Sequence, residues 1–286
     1  MSLLLDEIAI ASARLAQAGV ESPRTDAEVI AAWLHGVSRG ELHLVPDAGF
    51  DPRFWDDIAR REAREPLQHI TGVAYFRYLE LAVRPGVFVP RPETEVMTGW
   101  AIEQLAAMDV AEPVVADLGT GSGAIALAIA QEVPRARVHA VEADPLAARW
   151  AERNIAATAA AAPHTAGRVS LHAGDFATAL TDLNGQVDLV VSNPPYIPDG
   201  AWVPPEVGEY DPATALWGGP DGMHAVRAVA ATAARLLRPG GLVAVEHGAQ
   251  QGAAVYWVFA ESSGWRSTRN HADLAGRDRF VTAARP

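Results

Sequence analysis

Cysteine is absent from the 286-residue chain, which excludes a disulfide framework, a thiol nucleophile and a cysteine-based metal site. Lysine is absent as well: all 23 basic residues are arginine. Lysine chemistry is thereby removed, and with the abundant alanine the bias reads as genomic base composition rather than function. The nine histidines show no HxxH or HExxH spacing, so no metal site is expected. No apolar run reaches the ~18–20 uninterrupted residues of a membrane span. The N-terminal stretch MSLLLDEIAIASARLAQAG carries Asp6 and Glu7 and no basic leader region, so it reads as an amphipathic helix and not as a signal peptide. A cytoplasmic protein without membrane contact is expected. Positive charge is scarce too. Thirty-five acids against 23 bases leave a net charge of −12, which weighs against tight nucleic-acid binding, where counterion release needs a basic surface.

What remains is an ordinary globular composition, 49% hydrophobic and 20% charged, long enough for one large domain or two unequal ones. Residues 1–72 read as a small helical bundle. Leu4, Ile8, Ala11 and Leu15 recur on one helix face. Ser22-Pro23 and Asp51-Pro52 are helix starts. Ile30, Trp33, Leu34 and Val37 form the apolar stripe of the second helix, and Trp55 and Ile58 follow in the third. This segment holds twelve acids against seven arginines, which reads as a solvated acidic surface. Residues 73–90 are aromatic and β-branched with a Pro85-Gly86 turn signal, the pattern of a β-hairpin linker. From about residue 113 apolar strands alternate with helical patterns through residue 286. That alternation predicts an α/β domain over 91–286, a doubly wound, mainly parallel sheet with helices on both faces.

Two motifs in this region carry chemistry. Asp117-Leu118 leads into Gly119-Thr120-Gly121-Ser122-Gly123 between a predicted strand and a predicted helix, where a doubly wound sheet binds nucleotide-like ligands. The spacing is GxGxG rather than the GxGxxG of dinucleotide enzymes, so a pyrophosphate is not the preferred ligand. Glu142 ends the next strand, where an acid can accept ribose hydroxyls. Together these point to S-adenosylmethionine, an adenosine with a charged methionine tail and no phosphate. Asp175 and Phe176, after the third strand, suit the adenine amine and ring face; a turn residue and a core aromatic are the structural alternatives. The second motif, Asn193-Pro194-Pro195-Tyr196, caps the apolar run Val187 to Ser192. The Asn193 oxygen and the Pro194 carbonyl can accept the two hydrogens of a planar NH2 group, and the Tyr196 ring can lie on its face. Glutamine and adenine both present such a group.

These motifs occur with Pro66-Leu67-Gln68-His69-Ile70-Thr71-Gly72, with Phe88-Val89-Pro90-Arg91-Pro92-Glu93-Thr94-Glu95, and with Glu246-His247-Gly248. The combination resembles the bacterial release-factor glutamine N5-methyltransferases, the PrmC family, over nearly the whole chain. The resemblance implies a Rossmann-like class I methyltransferase sheet with a small N-terminal helical domain and a hairpin linker. It implies S-adenosylmethionine as donor and S-adenosylhomocysteine as product. Gly119 to Gly123, Glu142, Asp175, Phe176 and Asn193 would hold the donor, and Asn193 to Tyr196 the glutamine of a release factor's Gly-Gly-Gln loop. The helical domain would help hold the release factor, and the enzyme would act as a monomer without nucleic acid. Glu142 stands where many relatives carry Asp. Arg91 and Glu93 are either donor contacts or braces of the domain junction, and Glu246 and His247 read as braces of the Asn-Pro-Pro-Tyr loop. The alternatives are an adenine N6-methyltransferase and a glutamine methyltransferase acting on a ribosomal protein. A non-catalytic protein that keeps the fold is a third.

Overall fold

The computed structural model describes residues 3–46, 51–261 and 263–286. The chain forms two compact units, Met1–Val73 with Val203–Tyr210, and Ala74–Trp202 with Asp211–Pro286.

The first unit is built from helices α1 (Leu3–Gln17), α2 (Pro23–His35), α3 (Arg53–Glu62) and the single turn α4 (Leu67–Thr71). Leu4, Ile8, Ala11 and Leu15 of α1 are all buried, as their spacing requires, and pack against Ala27, Ile30, Phe54, Ile58 and Ile70. Pro23 opens α2, and Gly36 closes it in the left-handed conformation at φ 63°. Trp33 departs from expectation: it is 38% exposed, while Ala27, Ile30 and Ala31 form the buried face. At about 100° per residue Trp33 falls some 60° behind Ile30, off the stripe centred on those residues. Trp55 is half-buried, its Nε1 donating to Glu7 at 3.0 Å.

The second unit opens with a two-stranded hairpin, β1 (Val73–Phe76) and β2 (Leu79–Ala82). The hairpin closes at Arg77-Tyr78, with Arg77 at φ 51°, and not at Pro85-Gly86, which makes a separate turn after β2. Then follow α5 (Pro92–Ala107), β3 (Val114–Leu118), α6 (Ala124–Glu132), β4 (Arg137–Glu142), α7 (Pro145–Ala161), β5 (Val169–Ala173) and β6 (Val187–Ser192). After β6 comes α8 (Pro205–Gly208), which belongs to the first unit, although the sequence pattern assigns it to the α/β domain. The reason is electrostatic. Glu206 accepts from Arg64 Nε and Nη2 at 2.6 Å each and from Arg61 Nη2 at 3.0 Å. Arg61 is itself buried and paired with Asp26 at 2.8 Å.

The chain ends with α9 (Ala213–Leu216), α10 (His224–Leu236), β7 (Leu237–Glu246), α11 (Gly252–Ala260), β8 (Arg266–Ala272) and β9 (Asp278–Ala284). The sheet order is β5-β4-β3-β6-β7-β9-β8. The first five strands are parallel, and β9 and β8 are added antiparallel. Every residue of β6 is buried, the pattern of a strand covered on both faces. Strand order reverses between β3 and β6, so the crevice at their C-terminal ends is the topological switch point where such sheets bind ligands.

Candidate active site

Both motifs emerge at that switch point. The glycine loop follows β3 and the Asn-Pro-Pro-Tyr loop follows β6, and the strands pair in register with Asp117 opposite Val191. One residue further on, Ser192 Oγ donates to Leu118 O at 2.6 Å, tying the two loop roots together. Segments read independently in sequence are thus neighbours in space.

The glycine loop needs glycine for conformational reasons. Gly119, Gly121 and Gly123 have φ of 77°, 58° and 86°, which L side chains rarely adopt. A Cβ added at Gly119 or Gly121 would meet nothing within 4 Å, so their outer faces border open space into which a ligand can come close. Beneath them Asp117 is fully buried. Its Oδ2 accepts from Thr120 Oγ1 at 2.6 Å and Ala126 N at 3.2 Å, while Oδ1 has no partner. Burial pushes the Asp117 carboxyl up to about 7. An unmet buried acceptor beside an open glycine cradle fits a ligand bearing an ammonium group, as S-adenosylmethionine does.

Glu142 is engaged through both oxygens. Oε2 accepts from Gly121 N at 2.8 Å and Oε1 from Asp144 N at 2.9 Å. Each oxygen retains a lone pair for a ribose hydroxyl. Asp144 in turn caps α7, accepting from Leu146 N and Ala147 N. Asp175 is exposed, and its Oδ1 accepts from Ala177 N at 2.8 Å, the turn geometry weighed as its structural alternative. Phe176 packs against the core of the sheet.

The Asn-Pro-Pro-Tyr loop is held by Thr94 and Gly248, which lie in motifs that carry the resemblance, and by Gln251, Leu216, Gly218 and Gly222, which have no advance signal. Asn193 is half-buried, and its Nδ2 donates to Thr94 Oγ1 at 3.1 Å. The Gln251 amide bridges two loops: Nε2 donates to Tyr196 O at 2.8 Å and Oε1 accepts from Gly248 N at 2.9 Å. Ile197 N donates to Leu216 O at 2.9 Å and Gly218 N to Ile197 O at 2.8 Å. A Cβ on Gly218 would lie 2.7 Å from Pro195 O, and one on Gly222 would collide with Tyr196 O. Glycines this far from the motif escape pattern reading because their use is a close approach rather than a turn signature.

Arg91 pairs with Asp211 at 2.7 Å and stacks over Phe88 at 4.9 Å. Burial raises Asp211 to about 6 even though Arg91 opposes the rise. Glu93 lies in the first turn of α5. His247 contacts Gly248 O at 2.9 Å and Asn270 Oδ1 at 3.1 Å. Burial pushes Glu246 up to about 7.

The family described as PrmC N-terminal domain matches residues 8–72, and that described as methyltransferase small domain matches residues 79–204. The chain is 61% identical to the release factor glutamine methyltransferase of Streptomyces coelicolor, across 99% of this chain and 98% of that one. It is 42% identical to the 4-amino-L-phenylalanine/4-methylamino-L-phenylalanine methyltransferase of Streptomyces pristinaespiralis, across 91% of this chain and 87% of that one. Among solved structures, a release-factor-specific protein-(glutamine-N5) methyltransferase from Alicyclobacillus acidocaldarius is 32% identical with a TM-score of 0.41, covering 71% of this chain and 98% of that one.

Proposed function

The chain belongs to the release factor glutamine methyltransferases, and from that membership we propose that it methylates N5 of the glutamine in a release factor's Gly-Gly-Gln loop, with S-adenosylmethionine as donor. The fold is that of class I methyltransferases, with the PrmC N-terminal domain ahead of it. The observation that carries the proposal is the Ser192-to-Leu118 tie, which roots the glycine loop and the Asn-Pro-Pro-Tyr loop side by side. A donor on one loop and an acceptor on the other then share a single crevice.

An amide nitrogen is a poor nucleophile, because its lone pair is delocalised into the carbonyl. When bound, the donor's sulfonium supplies the driving force, as cofactors do for difficult chemistry. The residues of the chain supply alignment. Gly119 to Gly123 let the backbone approach the donor, Asp117 Oδ1 receives its ammonium, Glu142 takes the ribose, and Asp175 and Phe176 take the adenine. Asn193 Oδ1 and the Pro194 carbonyl accept the two substrate N–H bonds and aim the nitrogen at the methyl. Those contacts strengthen as positive charge builds on the nitrogen. Pro195 stiffens the loop, and Tyr196 covers the flat face of the amide. The proton leaves to water after transfer. Arg91 braces the segment around Asp211, and Glu93, two residues on in the first turn of α5, supports the same loop. The helical unit helps hold the release factor, and the enzyme works as a cytoplasmic monomer without nucleic acid.

The test is to incubate labelled donor with release factor, ribosomal protein, DNA and 4-aminophenylalanine, and to map the label by mass spectrometry. Label on the Gly-Gly-Gln glutamine is expected. Label confined to DNA, to ribosomal protein or to the aryl amine overturns the assignment. The aryl amine is included because of the Streptomyces pristinaespiralis relative.

A further inference from the structure

One side chain outside both motifs reaches the glycine loop. Asn154 lies on the buried face of α7 with Ala147, Ala151 and Thr158, and is 1% exposed. Its Oδ1 accepts from Ala82 N at 2.8 Å, and its Nδ2 donates to Ala82 O at 3.1 Å and to Ser122 O at 2.9 Å. An amide end offers one oxygen acceptor and two N–H donors, and here both kinds are used. Ala82 fixes which end is which, because its N–H needs the oxygen. The NH2 group must then face the two carbonyls.

Ser122 is buried in the glycine loop, two residues before α6 begins. The amide four residues on, Ala126 N, donates to Asp117 and not to Ser122 O. Asn154 supplies the partner that this carbonyl does not take from the helix, as a buried carbonyl requires. Gly121, one residue earlier, is held from another point. Its N–H donates to Glu142 Oε2 at 2.8 Å, and Glu142 Oε1 accepts from Asp144 N, the cap of α7, at 2.9 Å. Asn154 stands about 15 Å along the same helix, at 1.5 Å per residue. Two successive residues of the loop are thus tied to two points of one rigid element.

We propose that Asn154 is a positioning residue for the methyl donor: by tying Ser122 to α7 it fixes the glycine loop relative to Glu142, so that the methionine and ribose contacts form together. This rests on the reading of that loop and Glu142 as the donor site. Asn154 acts through Ser122, its own polar atoms being spent on backbone. A loop released from α7 populates more than one arrangement. Donor affinity then falls in proportion to the fraction of free enzyme whose loop is competent. Bound donor restores the arrangement, so turnover at saturating donor is kept. A side chain that only packs α7 would lower the melting temperature without that split.

The experiment compares full-length wild type, Asn154→Ala, Asn154→Asp and Thr158→Ala. It measures S-adenosylmethionine affinity by calorimetry, melting temperature, and kcat and donor KM with release factor. Thr158, one turn further along the same buried face, controls for packing. In Asn154→Ala the donor Kd and KM should rise about 10- to 100-fold, a loop competent in about 1–10% of free molecules, with kcat at saturating donor close to wild type. Asn154→Asp should lose more, because an ionised carboxylate sets an acceptor against two carbonyl oxygens. Thr158→Ala should melt lower and bind donor as wild type does. Wild-type donor affinity in a folded Asn154 variant, an equal loss in Thr158→Ala, or a fall in kcat with donor KM unaltered overturns the proposal. If Asn154→Ala does not fold, Asn154→Asp, which keeps the side-chain volume, decides. A wild type that binds no S-adenosylmethionine would instead refute the donor site itself, so the two failures are distinguishable.

Discussion

Replacing Asp117 by asparagine should stabilise the free enzyme at high pH while weakening donor binding. Asp117 is fully buried, with one oxygen satisfied by Thr120 and Ala126 and the other bare. Burial moves its carboxyl from 3.8 to about 7. At about 1.4 kcal/mol per pH unit, holding the ionised form costs the folded state on the order of 4 kcal/mol above pH 7. The sign follows from linkage. A raised carboxyl leaves stability intact below 3.8 and removes it as pH rises to about 7. Roughly half of that loss is already present at pH 5.5, so the wild type should lose about 2 kcal/mol from this group between pH 5.5 and 8. An amide cannot ionise, so the Asp117→Asn variant is spared that loss. For a domain of 150–250 residues, about 2 kcal/mol corresponds to roughly 4–8 °C in Tm. The assay is thermal melting of both proteins without donor at several pH values, with donor affinity measured by calorimetry. Taking the difference between the two proteins cancels Glu246 and Asp211, which titrate in the same direction. A difference in Tm that does not change between pH 5.5 and 8 would refute the reasoning.

Two further substitutions test separate parts of the molecule. Gly222→Ala would drive a methyl group into Tyr196 O at a backbone φ of 71°, so kcat should fall by about 100-fold with donor affinity preserved; normal turnover would show that the Asn-Pro-Pro-Tyr loop tolerates displacement. Glu206→Gln removes the charge that Arg61 and Arg64 share and should cost the helical unit about 1–3 kcal/mol, less at high salt. Urea unfolding followed by tryptophan fluorescence would measure that cost, and an unchanged midpoint would show that the triad is energetically idle.

The parts of the fold legible in sequence are those whose causes are local. The spacing of Leu4, Ile8, Ala11 and Leu15 is a helix face, and the buried run of β6 reads directly as a covered strand. The glycine loop is legible because positive φ restricts the choice of residue, and the mainly parallel sheet follows from strand–helix alternation. The residues that hold the site, and those that tie α8 to the helical unit, are another matter. Thr94 is 99 residues from Asn193, Gln251 is 55 from Tyr196, and Glu206 is 142 from Arg64. No periodicity connects such pairs, because folding alone brings them together. Trp33, a member of the expected stripe, lies one step around its helix from the buried face, since hydrophobicity identifies candidates for a stripe but not its edge. The hairpin turns earlier than its Pro-Gly signal suggests, because Arg77 takes a positive φ that its side chain does not advertise.

The ion-paired segment Val203–Tyr210 also bears on the order in which the protein is made. A ribosome adding about 5–20 residues per second needs roughly 7–28 s to travel from Arg64 to Glu206. Through that interval the nascent helices have Asp26 for Arg61, only 35 residues upstream, but Arg64 must wait for its carboxylate. The first domain to be started is therefore not the first to be finished. Cutting the gene at the boundary after Val73 would give two fragments, each lacking something: helices short of Glu206, and a catalytic piece carrying an orphaned strip of its neighbour.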